Sequence, residues 1–230
     1  MKLTTSTHRV SKHAFTLTEV IIASSIAVIL SLLVFFLSAG VGKVNFNSVA
    51  KLEINKDIRK FSDNLTRDVR SARQYRIYTS TTDLTMQDAG FTGDVLVLVW
   101  VDPEPIETAN VGNIREYYYR KFVIFARIPD NDEENIGPVW RYERTFPAVG
   151  SGGTPVVAND SRIGTMTAQI LNDPNSNRRQ VVQLSRGLAT ESLFFNSRLG
   201  RSITVNGEVY HGNRVNRVTN TYNFTVAPRG

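Results

Sequence analysis

The sequence predicts an α+β chain: one long N-terminal helix, with a transmembrane half and an amphipathic half, packed on an antiparallel β-sheet head. Three observations carry this expectation. Residues 20–39 (VIIASSIAVILSLLVFFLSA) hold no charge. Apolar residues then recur at Ile54, Ile58, Phe61, Leu65, Val69 and Ala72, the three-and-four spacing of one helix face. After residue 76 the period changes to two, first in Val95–Val101 (VLVLVWV) and then in residues 117–128 (YYYRKFVIFARI).

The chain has 230 residues, of which 41% are apolar and 21% charged, an ordinary composition for a folded protein. It has no cysteine, which excludes disulfide frameworks, cysteine-ligated zinc and thiol nucleophiles. Histidine occurs at His8, His13 and His211 alone. The net charge of +6 is unevenly placed. Residues 1–14 carry three basic side chains and no acid, and residues 43–76 carry nine basic side chains against four acids. Residues 77–230 hold 15 basic and 16 acidic side chains, so the head is close to neutral and lacks the basic footprint of a nucleic-acid module.

Twenty apolar residues at 1.5 Å each make a helix of about 30 Å, the thickness of a bilayer core. The basic residues ahead of the run orient the N-terminus toward the cytoplasm and leave everything beyond Lys43 on the far side. A secretory signal has a shorter apolar core, although the small residues Ser38, Ala39 and Gly40 keep a secreted soluble product as a third reading. Glu19 stands at the upstream edge of the run. A carboxylate within a spanning helix costs about 3 kcal/mol at its centre, so Glu19 either pairs with a cation or keeps its head in water.

The string Lys12-His13-Ala14-Phe15-Thr16-Leu17-Thr18-Glu19, followed at once by the apolar run, resembles the class III signal of type IV pilins and pseudopilins. The resemblance implies cleavage between Ala14 and Phe15 by a prepilin peptidase, which also N-methylates Phe15. The family prefers glycine where this chain has Ala14. The resemblance further implies that the Glu19 carboxylate of one subunit pairs with the Phe15 amine of a neighbour, two charges that are each costly alone in an apolar medium and tolerable together. It divides the chain into a leader (1–14), a transmembrane and assembly helix (15–42), an amphipathic helix (43–76) and a β-rich head (77–230), and it makes the fold pilin-like. Its implied partners are the prepilin peptidase, other pilin or pseudopilin subunits, an inner-membrane assembly platform and membrane lipid.

No proline precedes Pro103, so nothing forces the helix to stop at the bilayer edge. Gly40 and Gly42 each weaken it by about 1 kcal/mol relative to alanine, which puts any flexible joint there. The face opposite the apolar stripe holds Lys56, Arg59, Lys60, Asp63, Arg67 and Arg70 and reads as solvated, or as a contact with neighbouring subunits or anionic headgroups. Residues 65–72 (LTRDVRSA) resemble the end of the first helix in the minor pilin W and minor pseudopilin J groups.

In the head, Val95–Val101 reads as a strand buried on both faces, with further strands over 117–128, 139–146, 180–185 and 219–227. Asn206-Gly207 between two β-favouring triplets predicts a two-residue hairpin turn. Polar loops are expected over 102–113, 130–138, 149–155 and 172–179.

No catalytic site emerges. The acids Asp130, Asp132, Glu133 and Glu134 lack the spacing of a calcium loop, and the glycines of 150–153 lack the lysine of a phosphate loop. His211 reads as an exposed turn residue. Tyr117, Tyr118 and Tyr119 alternate across a strand, which suits sheet packing better than stacking on single-stranded nucleic acid. The sequence thus points to a noncatalytic membrane-inserted subunit of a type IV pilus or type II secretion pseudopilus, with no cofactor and no metal. A mature chain of 216 residues suits a minor subunit acting near the fibre tip or in initiation. Retention of Glu19 argues against the tip pseudopilin K type. The alternative is an uncleaved single-pass anchor carrying an extracytoplasmic binding head.

Overall fold

The computed structural model describes residues 16–84, 91–102, 106–107, 115–129, 135–148, 151–188, 191–197, 200–212 and 217–229. The chain divides into two compact units, Met1–Ser48 and Val49–Gly230. Helix α1 (Leu17–Ser71) begins in the first and ends in the second. Within the first unit it is apolar and long enough to cross a membrane. The helix continues through Gly40 and Gly42, because two glycines lower propensity without removing a hydrogen bond as proline would.

In the second unit the apolar stripe of α1 becomes the middle of the core. Ala50, Ile54, Phe61, Leu65 and Val69 are buried, as the three-and-four spacing requires. The helix ends at Ser71 rather than at 76, and β1 (Gln74–Tyr78) follows after two residues. Ile77 and Tyr78 are buried as strand residues, paired with Leu96 and Val95.

The strands that follow are β2 (Thr92–Gly93), β3 (Val95–Val101), β4 (Ile106–Glu107), β5 (Arg115–Glu116), β6 (Tyr119–Arg127) and β7 (Gly137–Thr145), then β8 (Asn177–Gly187), β9 (Phe194–Asn196), β10 (Ile203–Gly212) and β11 (Arg217–Val226). Every pairing between them is antiparallel. The main sheet runs β1-β3-β6-β7-β8-β10-β9-β2, with β11 along the other side of β10, while β4 and β5 pair separately.

Both faces of the sheet are covered at β3, which is why that strand is apolar at every position. Leu96 and Leu98 of β3, with Val123 and Phe125 of β6, face the core built on α1. Val95, Val97 and Val99 face the other way with Phe122 and Ile124, under Ile163 and Ile170 of a second helix, α2 (Ile163–Asn172). No expectation from the sequence covers α2. Its signal is short: Ile163, Thr167 and Ile170 fall on one face, after a 3-10 turn (Asp160–Arg162) whose cap, Asn159, accepts from the Ser161 amide at 3.0 Å.

The expected turn at Asn206-Gly207 is also corrected. β10 runs straight through it, with Asn206 opposite Asn223 and Gly207 opposite Tyr222. Gly207 serves a close approach instead: a Cβ there would lie 2.6 Å from the Tyr222 hydroxyl and 2.8 Å from Leu193 Cδ1. Neither Asn206 nor Gly207 has the positive φ that a two-residue hairpin turn demands.

Candidate assembly site

Ala14 and Phe15 lie outside the described residues. The site is built from Thr16 onward. Helix α1 opens with a reciprocal cap: the Glu19 amide donates to Thr16 Oγ1 at 3.3 Å, and Glu19 Oε2 accepts from the Thr16 amide at 2.9 Å. The Thr16 hydroxyl donates to the same oxygen at 3.0 Å. Thr-x-x-Glu before an apolar run is a capping box, so the Glu19 carboxylate has a role inside its own chain that the sequence reading did not weigh. The spacing was there to be read.

Beyond the cap, three serines of the apolar run turn their hydroxyls onto the helix backbone. Ser24 and Ser25 both donate to the Ile21 carbonyl, at 2.9 and 2.8 Å, and Ser31 donates to the Ala27 carbonyl at 2.8 Å. Their donors are thereby withdrawn from the helix surface. What remains outside is apolar: Ile22, Val28, Leu33 and Phe36 are all exposed, Phe36 at 69%. A surface of this size and kind needs an apolar medium or apolar partners to cover it.

The head residues considered from sequence fall into separate places. His211 is not in a turn: it lies on β10, partly buried, with Nε2 at 3.2 Å from Glu53 Oε2. Tyr119 is buried and donates its hydroxyl to the Asn159 carbonyl at 2.7 Å, Tyr118 bridges to Val157, and the Arg73 guanidinium sits 5.1 Å from the Tyr117 ring. These rings do not form one stacking surface. The acids of 130–134 lie outside the described residues, as does Gly150. Among the described residues no three His, Asp or Glu side chains come together as metal ligands.

Two charged networks went unread. Arg127 lies at the inward phase of β6, two residues beyond Phe125, and is fully buried. Its Nε donates to Asp94 Oδ1 at 2.9 Å and its Nη2 to Asp94 Oδ2 at 2.5 Å. It also donates to the carbonyls of Asn135 and Glu191, residues held at φ of 50° and 60°. One guanidinium therefore ties two residues of left-handed backbone to a buried carboxylate. The second network joins α1 to the sheet. Arg141 of β7 donates to Asp68 at 2.8 Å and to Glu143 at 2.5 Å, and Lys121 reaches Glu143 at 2.6 Å. Burial pushes the Glu143 carboxyl up, but the bonds from Lys121 and Arg141 outweigh it and hold the group below the ordinary carboxylate value. In both networks the signal was a charge at a core-phase position, which demands a partner without saying which.

Comparison of the chain with protein-family models, with curated proteins and with solved structures finds no match.

Proposed function

We propose that this chain is a noncatalytic minor subunit of a type IV pilus or type II secretion pseudopilus. A prepilin peptidase cuts it before Phe15 and N-methylates that residue. The subunit resides in the inner membrane with its head outside the cytoplasm, then enters the fibre through its N-terminal helix, near the tip or at initiation. Its partners are sibling pilin or pseudopilin subunits and the assembly platform. The reading is carried by one observation: the processing-type string of residues 12–19 leads directly into a helix whose apolar surface the chain itself leaves uncovered. Neighbouring helices in a fibre would cover that surface as lipid does before assembly.

A second reading, the uncleaved single-pass anchor with a binding head, is favoured by the Thr16–Glu19 cap, which employs the carboxylate without any neighbour. Two substitutions separate the readings. Glu19→Gln keeps the cap, since glutamine serves at this position, and removes the charge. Glu19→Val removes both. Pairing with a neighbour's amine predicts that both variants insert in the membrane and that both are lost from fibres sheared off the producing cells. Fibre levels of Glu19→Gln equal to wild type would refute the pairing.

A further inference from the structure

Beside the second charged network lies a cleft of about 370 Å³, lined by charged and polar side chains of α1, β6, β7 and β8. Both of its carboxylates are committed. Asp68 is held by Arg141, and Glu143 by Arg141 and Lys121, so these four side chains form a neutral set. Two further guanidinium groups add charge beyond this set, Arg67 from α1, which shares Asp68 with Arg141, and Arg179 from β8.

These two are drawn together rather than apart. The Nη2 atoms of Arg67 and Arg179 each lie 3.1 Å from the same acceptor, Asn64 Oδ1, so they stand no more than about 6 Å from each other around a neutral oxygen. Arg67 Nε has Asp68 Oδ1 only at 3.7 Å, longer than a hydrogen bond. Arg179 is also directly opposite Arg141 in the β7–β8 register, a like-charge cross-strand pair that destabilises a sheet unless something neutralises it. Arg141 is nearly buried, with its side chain 6% exposed, and cannot swing away. The fold thus holds three guanidinium groups at one cleft with a surplus of two positive charges, where an amide stands at the point a carboxylate would have balanced.

We propose that this cleft binds a doubly charged oxyanion, phosphate or a phosphate ester, held in the fork of Arg67 and Arg179 with Arg141 as the fixed wall. Guanidinium donors in pairs match the oxygens of such groups in spacing and charge. The site lies within the head unit and does not depend on fibre assembly.

The test uses the full chain in neutral detergent micelles, with calorimetric titration at constant ionic strength. Inorganic phosphate and succinate are the two probes. Phosphate is expected to bind, and Arg67→Gln/Arg179→Gln to weaken it at least tenfold. Both residues are exposed, so the double variant should keep the wild-type circular dichroism and melt no lower than wild type, since it also removes the like-charge pair opposite Arg141. Single variants, each retaining one guanidinium, should fall between. Succinate binding as tightly as phosphate would overturn the assignment to phosphate. No phosphate heat in the wild type, or equal binding by the double variant, overturns the proposal.

Discussion

Replacing Phe61 by alanine tests whether the second half of α1 is the centre of the head. Phe61 is fully buried, and its ring meets Phe125, Tyr222 and Phe224 edge-on at 5.9, 6.0 and 6.0 Å. Truncation of a core phenylalanine costs about 3–5 kcal/mol through lost transfer energy and the cavity left behind. Three edge-to-face contacts, each worth about 0.5–1.5 kcal/mol beyond area, put this site toward the upper end. With a urea slope of about 2 kcal/mol per molar, the midpoint should fall by roughly 2 M. Trp100 and Trp140, both partly buried in the head, report the transition by fluorescence in detergent-solubilised protein. Leu52→Ala, at a side chain 69% exposed, is the control and should change stability by no more than about 0.5 kcal/mol. A Phe61→Ala midpoint within 0.5 M or so of wild type would refute the packing of the sheet around this helix.

Arg127→Met strands the Asp94 carboxylate and two carbonyls, and should lose about 3–5 kcal/mol in the same urea assay. Arg127→Met/Asp94→Asn should lose less than the two single variants summed, and an additive result would show that the pair is not coupled. Gly207→Ala should cost about 1–3 kcal/mol by overpacking against Tyr222, and Tyr222→Ala should relieve part of that cost. Equal costs in both backgrounds would mean that backbone conformation rather than contact selects the glycine. The carboxyl of Glu143 is held below its ordinary value of 4.5 in the folded head, so the folded state binds fewer protons than the unfolded one there. That stabilisation is full above 4.5 and is lost as pH falls through the lowered value, so Glu143→Gln should flatten the acid side of a melting-temperature profile.

Patterns of period carried most of the fold. The helix stripe from Ile54 to Ala72 and the unbroken apolar β3 each fixed which neighbours they needed, because burial on one face or two leaves different spacings. Local conformation was harder to read. Asn206-Gly207 has the composition of a turn, and only the facing Tyr222 ring shows why the glycine is there. Helix α2 has only ten residues, so its apolar stripe repeats over fewer turns than that of α1. Charged partners were illegible for a different reason: Asp68 and Arg141 lie 73 positions apart, and Asp94 and Arg127 lie 33 apart, so no local spacing links them. The cap of α1 was legible in the Thr16-x-x-Glu19 spacing, where the near partner of the carboxylate is an amide of its own chain.

Intact-mass analysis of the protein extracted from membranes of its producing cells addresses the assembly reading most directly. Processing as proposed predicts a species beginning at Phe15, lacking residues 1–14 and carrying one added methyl group. A mass that retains Met1, or one that begins near Gly40 or Val41, would contradict it.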